Sequence, residues 1–158
     1  MILIGVTILQ LCIFQAHRWT KRGISLVPLK YNHSYTGLKF TAMLSVFKAD
    51  GTVSVTHGGI EMGQGINTKV AQTVAKELGI GMDMIRVKAS NNNAAPNNSI
   101  TGGSTGSESC CRAALLACKD LKERLDKVKG EMTKPDPTWL EIVQTAVGKG
   151  VDIQSRIW

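Results

Sequence analysis

Aromatic residues are scarce in this sequence: three Trp, three Phe and two Tyr make up 5% of 158 residues. A core with so few of them has to be built from aliphatic side chains and alanine. Paired cysteine motifs are missing as well. Cys12, Cys110, Cys111 and Cys118 form no C-x-x-C, and Cys111 and Cys118 lie seven apart. On a helix that spacing is two turns along one face, too far for a disulfide. These thiols are therefore expected to be reduced and buried in an intracellular, cytoplasmic chain. His17, His33 and His57 show no ligand spacing with them, so zinc is not expected and each histidine is read as a surface or loop residue.

Acidic residues are in the minority, 12 against 19 Lys and Arg, for a net charge of +7. The basic residues are scattered and lack interleaved aromatics, so they are read as a solvated surface, and no nucleic-acid partner is expected. A long apolar run is also missing. Residues 1–16, MILIGVTILQLCIFQA, are too short to cross a bilayer. They have no basic start, and Phe14-Gln15-Ala16 is a poor cleavage site for a secretory signal. No membrane association is expected.

The chain does have two glycine-rich loops, each leading into an amphipathic run. The first, Gly58–Thr68, reads GGIEMGQGINT and holds four glycines. Glycine lets backbone approach a ligand closely, and the N–H groups that open the following helix suit an anion. The second, Ser99–Glu108, reads SITGGSTGSE. Two such loops could grip one extended polar ligand from two sides. Glu61 is a tempting general base, but a lone glutamate beside a glycine turn is expected to be solvated or paired locally.

The remaining pattern places these loops. Gly23–Tyr31 reads as a strand interrupted at Pro28. Phe40–Lys48 and Thr52–Thr56 flank Asp50-Gly51 and read as a hairpin whose second strand feeds the first loop. Val70, Val74 and Leu78, with Ala71 and Ala75, predict a helix over 67–78 that stops at Gly79. Met84–Ala89 is a short strand. Ser90–Ser99 is a polar loop with five asparagines. Thr105 and Glu108 fit a capping box, before a helix with a stripe of Cys110, Ala113, Ala114, Ala117, Leu121, Leu125 and Val128. Thr138 and Glu141 fit another, before a helix ended by Gly148 and Gly150. The fold class is α+β, with mixed α/β layers.

GGIEMGQGINTKVAQ and PNNSITGGSTGSE together resemble the molybdenum hydroxylase family, the xanthine dehydrogenases and aldehyde oxidases. KRGISLVP, DGTVSVTHGG and TWLEIVQ extend the resemblance over residues 17–158, while residues 1–16 do not match. The wording SITGGSTGSE is closer to the aldehyde oxidases. The resemblance implies part of a molybdopterin-binding domain. Met62, Gly63, Gln64, Gly65 and Ile66 would line the cofactor, with the Gln64 amide near the metal. Thr101, Gly102, Gly103, Ser104 and Thr105 would approach it from the second loop. Packing is the alternative role for Met62 and Ile66, and helix capping for Ser104 and Thr105.

The cofactor would be molybdenum-molybdopterin, joined in the complete, homodimeric family enzymes by 2Fe-2S clusters and FAD. Those enzymes hydroxylate aldehydes or N-heterocycles with a glutamate base from a glycine-rich segment. No match to that segment, or to the iron–sulfur and flavin domains, occurs here. The expected role is a fragment that contributes cofactor contacts, supplies neither catalytic base nor metal ligand, and is inactive alone. The residues by themselves leave a second reading open, a small basic module for a nucleotide or phosphorylated ligand.

Overall fold

A computed structural model describes residues 19, 20, 23, 25–28, 30 and 34–158. The apolar segment 1–16, Cys12, His17 and His33 lie outside the described residues. Two units are distinguished, residues 1–32 and 33–158. In the first, the described residues between 23 and 30 carry no strand. Among the described residues the strand expected over Gly23–Tyr31 does not form; Ile24, Leu29 and Tyr31 lie outside them. Pro28 has no N–H to contribute to a ladder, and extended propensity forms a strand only beside a partner.

The second unit opens with the expected hairpin. Strand β1 (Ala42–Val46) pairs antiparallel with β2 (Val53–His57), Leu44 opposite Val55. Asp50 shapes the turn by accepting from the N–H and hydroxyl of Thr52 at 2.9 and 2.8 Å. Gly51 sits at φ 74°, and its carbonyl accepts from the Trp139 indole at 2.8 Å. Both strands alternate buried and half-buried residues, so Ala42, Leu44, Val46, Val53, Val55 and His57 share the inner face.

Helix α1 (Ile66–Leu78) follows the first glycine loop and ends at left-handed Gly79, as its stop signal predicts. A short 3₁₀ turn leads into β3 (Ile85–Val87), which lies parallel to β2. Helix α2 (Gly106–Gly130) follows the second loop and buries the whole predicted stripe from Cys110 to Val128. Helix α3 (Trp139–Gly148) packs on α2 and starts with the predicted capping box. Glu141 there accepts from Lys134 and from the Thr138 N–H, which in that order hold its carboxyl down to about 2.

Strand β4 (Gln154–Ile157) closes the sheet against β1, giving the order β3-β2-β1-β4. Periodicity does not reveal it, because QSRI is short and polar and only the open edge of β1 makes it a strand. Arg124 anchors it from α2, donating to the Gln154 carbonyl at 2.7 Å and pairing with Asp120 at 2.7 Å. The mixed sheet with helices packed on it is the α+β architecture expected. Its core is aliphatic and alanine-rich, with Phe40 as the fully buried aromatic among the described residues.

Helices α1 and α2 lie side by side and run in the same direction. Lys69 reaches the Ser107 hydroxyl near both starts, and Lys122 reaches the Glu77 carbonyl further along. The two glycine loops therefore meet at one end of the unit.

Candidate functional site

The first loop is held by its own side chains. Glu61 Oε1 accepts from the N–H groups of Gly63 and Gly65 at 3.0 and 2.9 Å, and Oε2 accepts from Asn67 N–H at 3.1 Å. These donors, Asn67 first, hold the exposed carboxyl below the usual range. Local pairing is thus its role here. Gln64 folds back across the loop: its Nε2 donates to the Ile60 carbonyl at 2.7 Å, and its Oε1 accepts from Met62 N–H at 2.6 Å. Each amide atom keeps one further hydrogen-bonding position. Gly65, the residue before α1, sits at φ 74°, a left-handed turn that glycine adopts freely.

His57 departs from the expectation of a surface histidine. It ends β2 on the inward phase of the strand and is 3% exposed. Its Nδ1 accepts from Gly59 N–H at 3.2 Å, and its Nε2 lies 2.9 Å from Asn67 Oδ1. A backbone N–H can only donate, so Nδ1 is unprotonated and Nε2–H donates to Asn67. Burial pushes the ring pKa down, against the opposing pull of Asn67 and Glu61. Gly59 is packed so closely that a Cβ would lie 2.6 Å from Ile66 Cδ1 and 2.7 Å from Cys110 Sγ.

In the second loop, Ser104 takes the left-handed conformation at φ 57°. The capping box expected at Thr105 and Glu108 does not form, because Thr105 has φ −115° and ψ 1° instead of extended backbone. Its hydroxyl turns back to the Gly102 carbonyl at 3.5 Å. Neither N-cap residue, Gly65 or Thr105, caps its helix with a side chain, and at the start of α1 Glu61 supplies the acceptor for the Asn67 N–H. The loops join where Ile60 N–H donates to the Thr101 hydroxyl at 3.1 Å. Asn98 fixes the approach to the second loop by accepting from Thr41 N–H at 2.7 Å, and a Cβ at Gly58 would run into it.

Met62 is 67% exposed, and Gly63, Gln64 and Gly65 lie at or near the surface with it. Thr101 through Thr105 are exposed or half-buried alongside. Ile66 differs: its side chain is fully buried and fills the core beneath both loops. A cavity of about 380 Å³ beside the first loop is lined by His57, Gly59, Glu61, Asn67, Lys88 and Ser90. Among the described residues no group of three or more His, Cys, Asp or Glu is placed to hold a metal. Sequence reasoning passed over His57 and Asn67. The signal available was the strand alternation of VSVTH, which puts residue 57 in phase with Val53 and Val55.

A paired set of exposed glycine loops, each running into a helix start and joined at Ile60 and Thr101, fits an extended polar ligand. The sequence profile of the family described as the molybdopterin cofactor-binding domain matches residues 12–156. The chain belongs to that family. Molybdopterin is the cofactor that this membership carries, in agreement with the two motifs. Among similar proteins, xanthine dehydrogenase of Drosophila subobscura is 38% identical over 133 residues, 82% of this chain and 10% of the relative. Aldehyde oxidase 3 of Rattus norvegicus is 37% identical over 139 residues, 87% of this chain and 10% of the relative. The chain thus spans about a tenth of the length of these relatives. A solved CO dehydrogenase from Oligotropha carboxidovorans shares the fold, with a TM-score of 0.67 and 19% identity over 76% of this chain and 18% of that one. Quinoline 2-oxidoreductase from Pseudomonas putida is similar at a TM-score of 0.55 and 18% identity, covering 76% and 19%. This molybdopterin-domain chain therefore matches both kinds of relative at nearly the same identity.

Proposed function

We propose that this chain forms one wall of the molybdenum-molybdopterin site of an aldehyde oxidase/xanthine dehydrogenase-like oxidoreductase. The observation that carries the reading is the junction of the two glycine loops at Ile60 and Thr101, at the common end of α1 and α2. The donor set fits the group. Gly63 and Gly103 have open space where a Cβ would stand, so a flat polar ligand can approach the backbone. The start of α2, where Thr105 makes no capping bond, favours its phosphate.

In this reading Met62, Gly63, Gln64 and Gly65 contact the cofactor from one loop. Ile66 contributes its backbone, since its side chain is buried. Thr101, Gly102, Gly103, Ser104 and Thr105 contact it from the other. Gln64 presents its remaining amide N–H, held in place by Ile60 and Met62. Glu61 keeps the loop closed and moves no proton. When bound, the group supplies a redox-active metal centre for hydroxylation of an aldehyde or N-heterocycle. The whole protein would act as a cytoplasmic homodimer with 2Fe-2S clusters and FAD. Among the described residues no helix is long and apolar enough to cross a membrane. No observation favours a small nucleotide-binding module.

The test is retention of pterin. The full chain is mixed with molybdopterin released from a donor enzyme, gel-filtered, and assayed for pterin fluorescence. The expected result is retained pterin, less of it with Gln64→Ala, and no aldehyde turnover with an artificial electron acceptor. A folded chain that retains no pterin would overturn the reading.

A further inference from the structure

We propose that His57 is the positioning residue of the entry to the first glycine loop, and that residues 58–60 stay in place only while the ring is the neutral Nε2–H tautomer. The inference rests on the loop's own bonds and holds whether or not the loop carries a cofactor.

His57 touches both ends of the loop. Nδ1 holds Gly59 N–H at its entry, and Nε2–H holds the Asn67 side chain in the first turn of α1. The two bonds respond differently to a proton. A proton on the ring must go to Nδ1, because Nε2 already carries one. The bond to Asn67 then survives, while Nδ1–H and Gly59 N–H become two donors facing one another. Gly59 cannot retreat inward, since Ile66 and Cys110 leave no room behind it. It must move outward, and Ile60, the next residue, is the one that ties this loop to Thr101. Protonation therefore loosens residues 58–60 and the junction of the two loops. Residues 63–67 remain held by Glu61.

The groups around the ring set where this happens. Burial opposes the proton and Glu61 favours it, while Lys88, just after β3, lines the same cavity. Ala42 opposite on β1 is apolar. Cys110, packed on Gly59 from α2, stays a neutral thiol, pushed up to about 12 by burial.

The experiment uses the full chain labelled with ¹⁵N. Long-range ¹⁵N–¹H spectra report the ring tautomer, and amide exchange, corrected for its intrinsic pH dependence, reports the loop. At neutral pH the ring should show unprotonated Nδ1. Acidification should speed exchange at Gly59 by roughly fivefold to tenfold, the worth of one hydrogen bond, in step with ring titration. Leu44 in β1 should stay protected. His57→Asn keeps an acceptor near the Nδ1 position and cannot titrate, so Gly59 should be protected at every pH. His57→Gln keeps only the donor toward Asn67, so Gly59 should exchange fast at every pH. An Nδ1–H tautomer at neutral pH, Gly59 protection unmoved by ring titration, simultaneous loss at Leu44, or folded Asn and Gln variants behaving alike would each overturn the proposal. If neither variant folds, the wild-type ring spectrum and amide titration decide it.

Discussion

Ile60 and Thr101, forty-one residues apart, are joined by a hydrogen bond of 3.1 Å from the Ile60 N–H to the Thr101 hydroxyl. It joins two loops that run into separate helices. Thr101→Val keeps the shape and removes the acceptor. Loss of about 0.5–1.5 kcal/mol is expected, read as a lower urea midpoint with unchanged slope, together with weaker pterin retention. Thr101→Ser should restore both. A valine variant as stable and as retentive as the parent would remove the junction from the argument.

Glu61 gathers three backbone N–H groups with one carboxylate. Glu61→Ala should raise amide exchange at Gly63, Gly65 and Asn67 by about tenfold, because charge-assisted bonds are lost while water replaces them. Global stability should change little, since the loop is exposed. Unfolding of the sheet in this variant would show that the loop is needed by the core as well.

Gly51→Ala tests the hairpin. At φ 74° an L side chain is disfavoured, and its Cβ would lie 2.9 Å from the Trp139 ring. Destabilisation of roughly 1–3 kcal/mol is expected from conformation and overpacking together. The near-ultraviolet tryptophan signal should change at the same time, because Trp139 bonds to the Gly51 carbonyl.

Stability should fall on mild acidification. The unfolded chain takes a proton on His57 near the ordinary value of about 6.5, while burial lowers the folded value. Between the two the unfolded state binds more protons, so stability is full above the ordinary value and declines as pH drops toward the folded one. Denaturant midpoints measured across this window should be flatter in His57→Asn. A midpoint that rises on acidification would contradict the assignment. Glu61, whose folded pKa is lowered by the Asn67 N–H first, loses its contribution only in more acid solution.

Native alkylation with iodoacetamide should spare Cys110 and Cys118. Both are fully buried, and burial pushes their thiols up to about 12. Only the thiolate reacts. Mass spectrometry should find them modified in denaturant alone.

The sequence determined the hairpin, the start and stop of α1, the buried stripe of α2 and the capping box of α3. In each case the signal is local: an Asp-Gly turn, a glycine stop, a helical period, or Thr138 and Glu141 three apart. The MGQG and TGGST motifs also carried the family, because short spacing of glycine and polar residues is preserved in the linear chain. The tertiary structure decided the rest. β4 exists only because β1 offers it an edge. Thr105 gave up its cap to the turn made by Ser104. His57, whose inward phase the alternation of VSVTH already signals, holds one tautomer because Gly59 and Asn67 close on it from two directions. Hydrogen-bond partners and strand neighbours are set by which surfaces meet, and that depends on packing across the whole unit, beyond the reach of any local pattern.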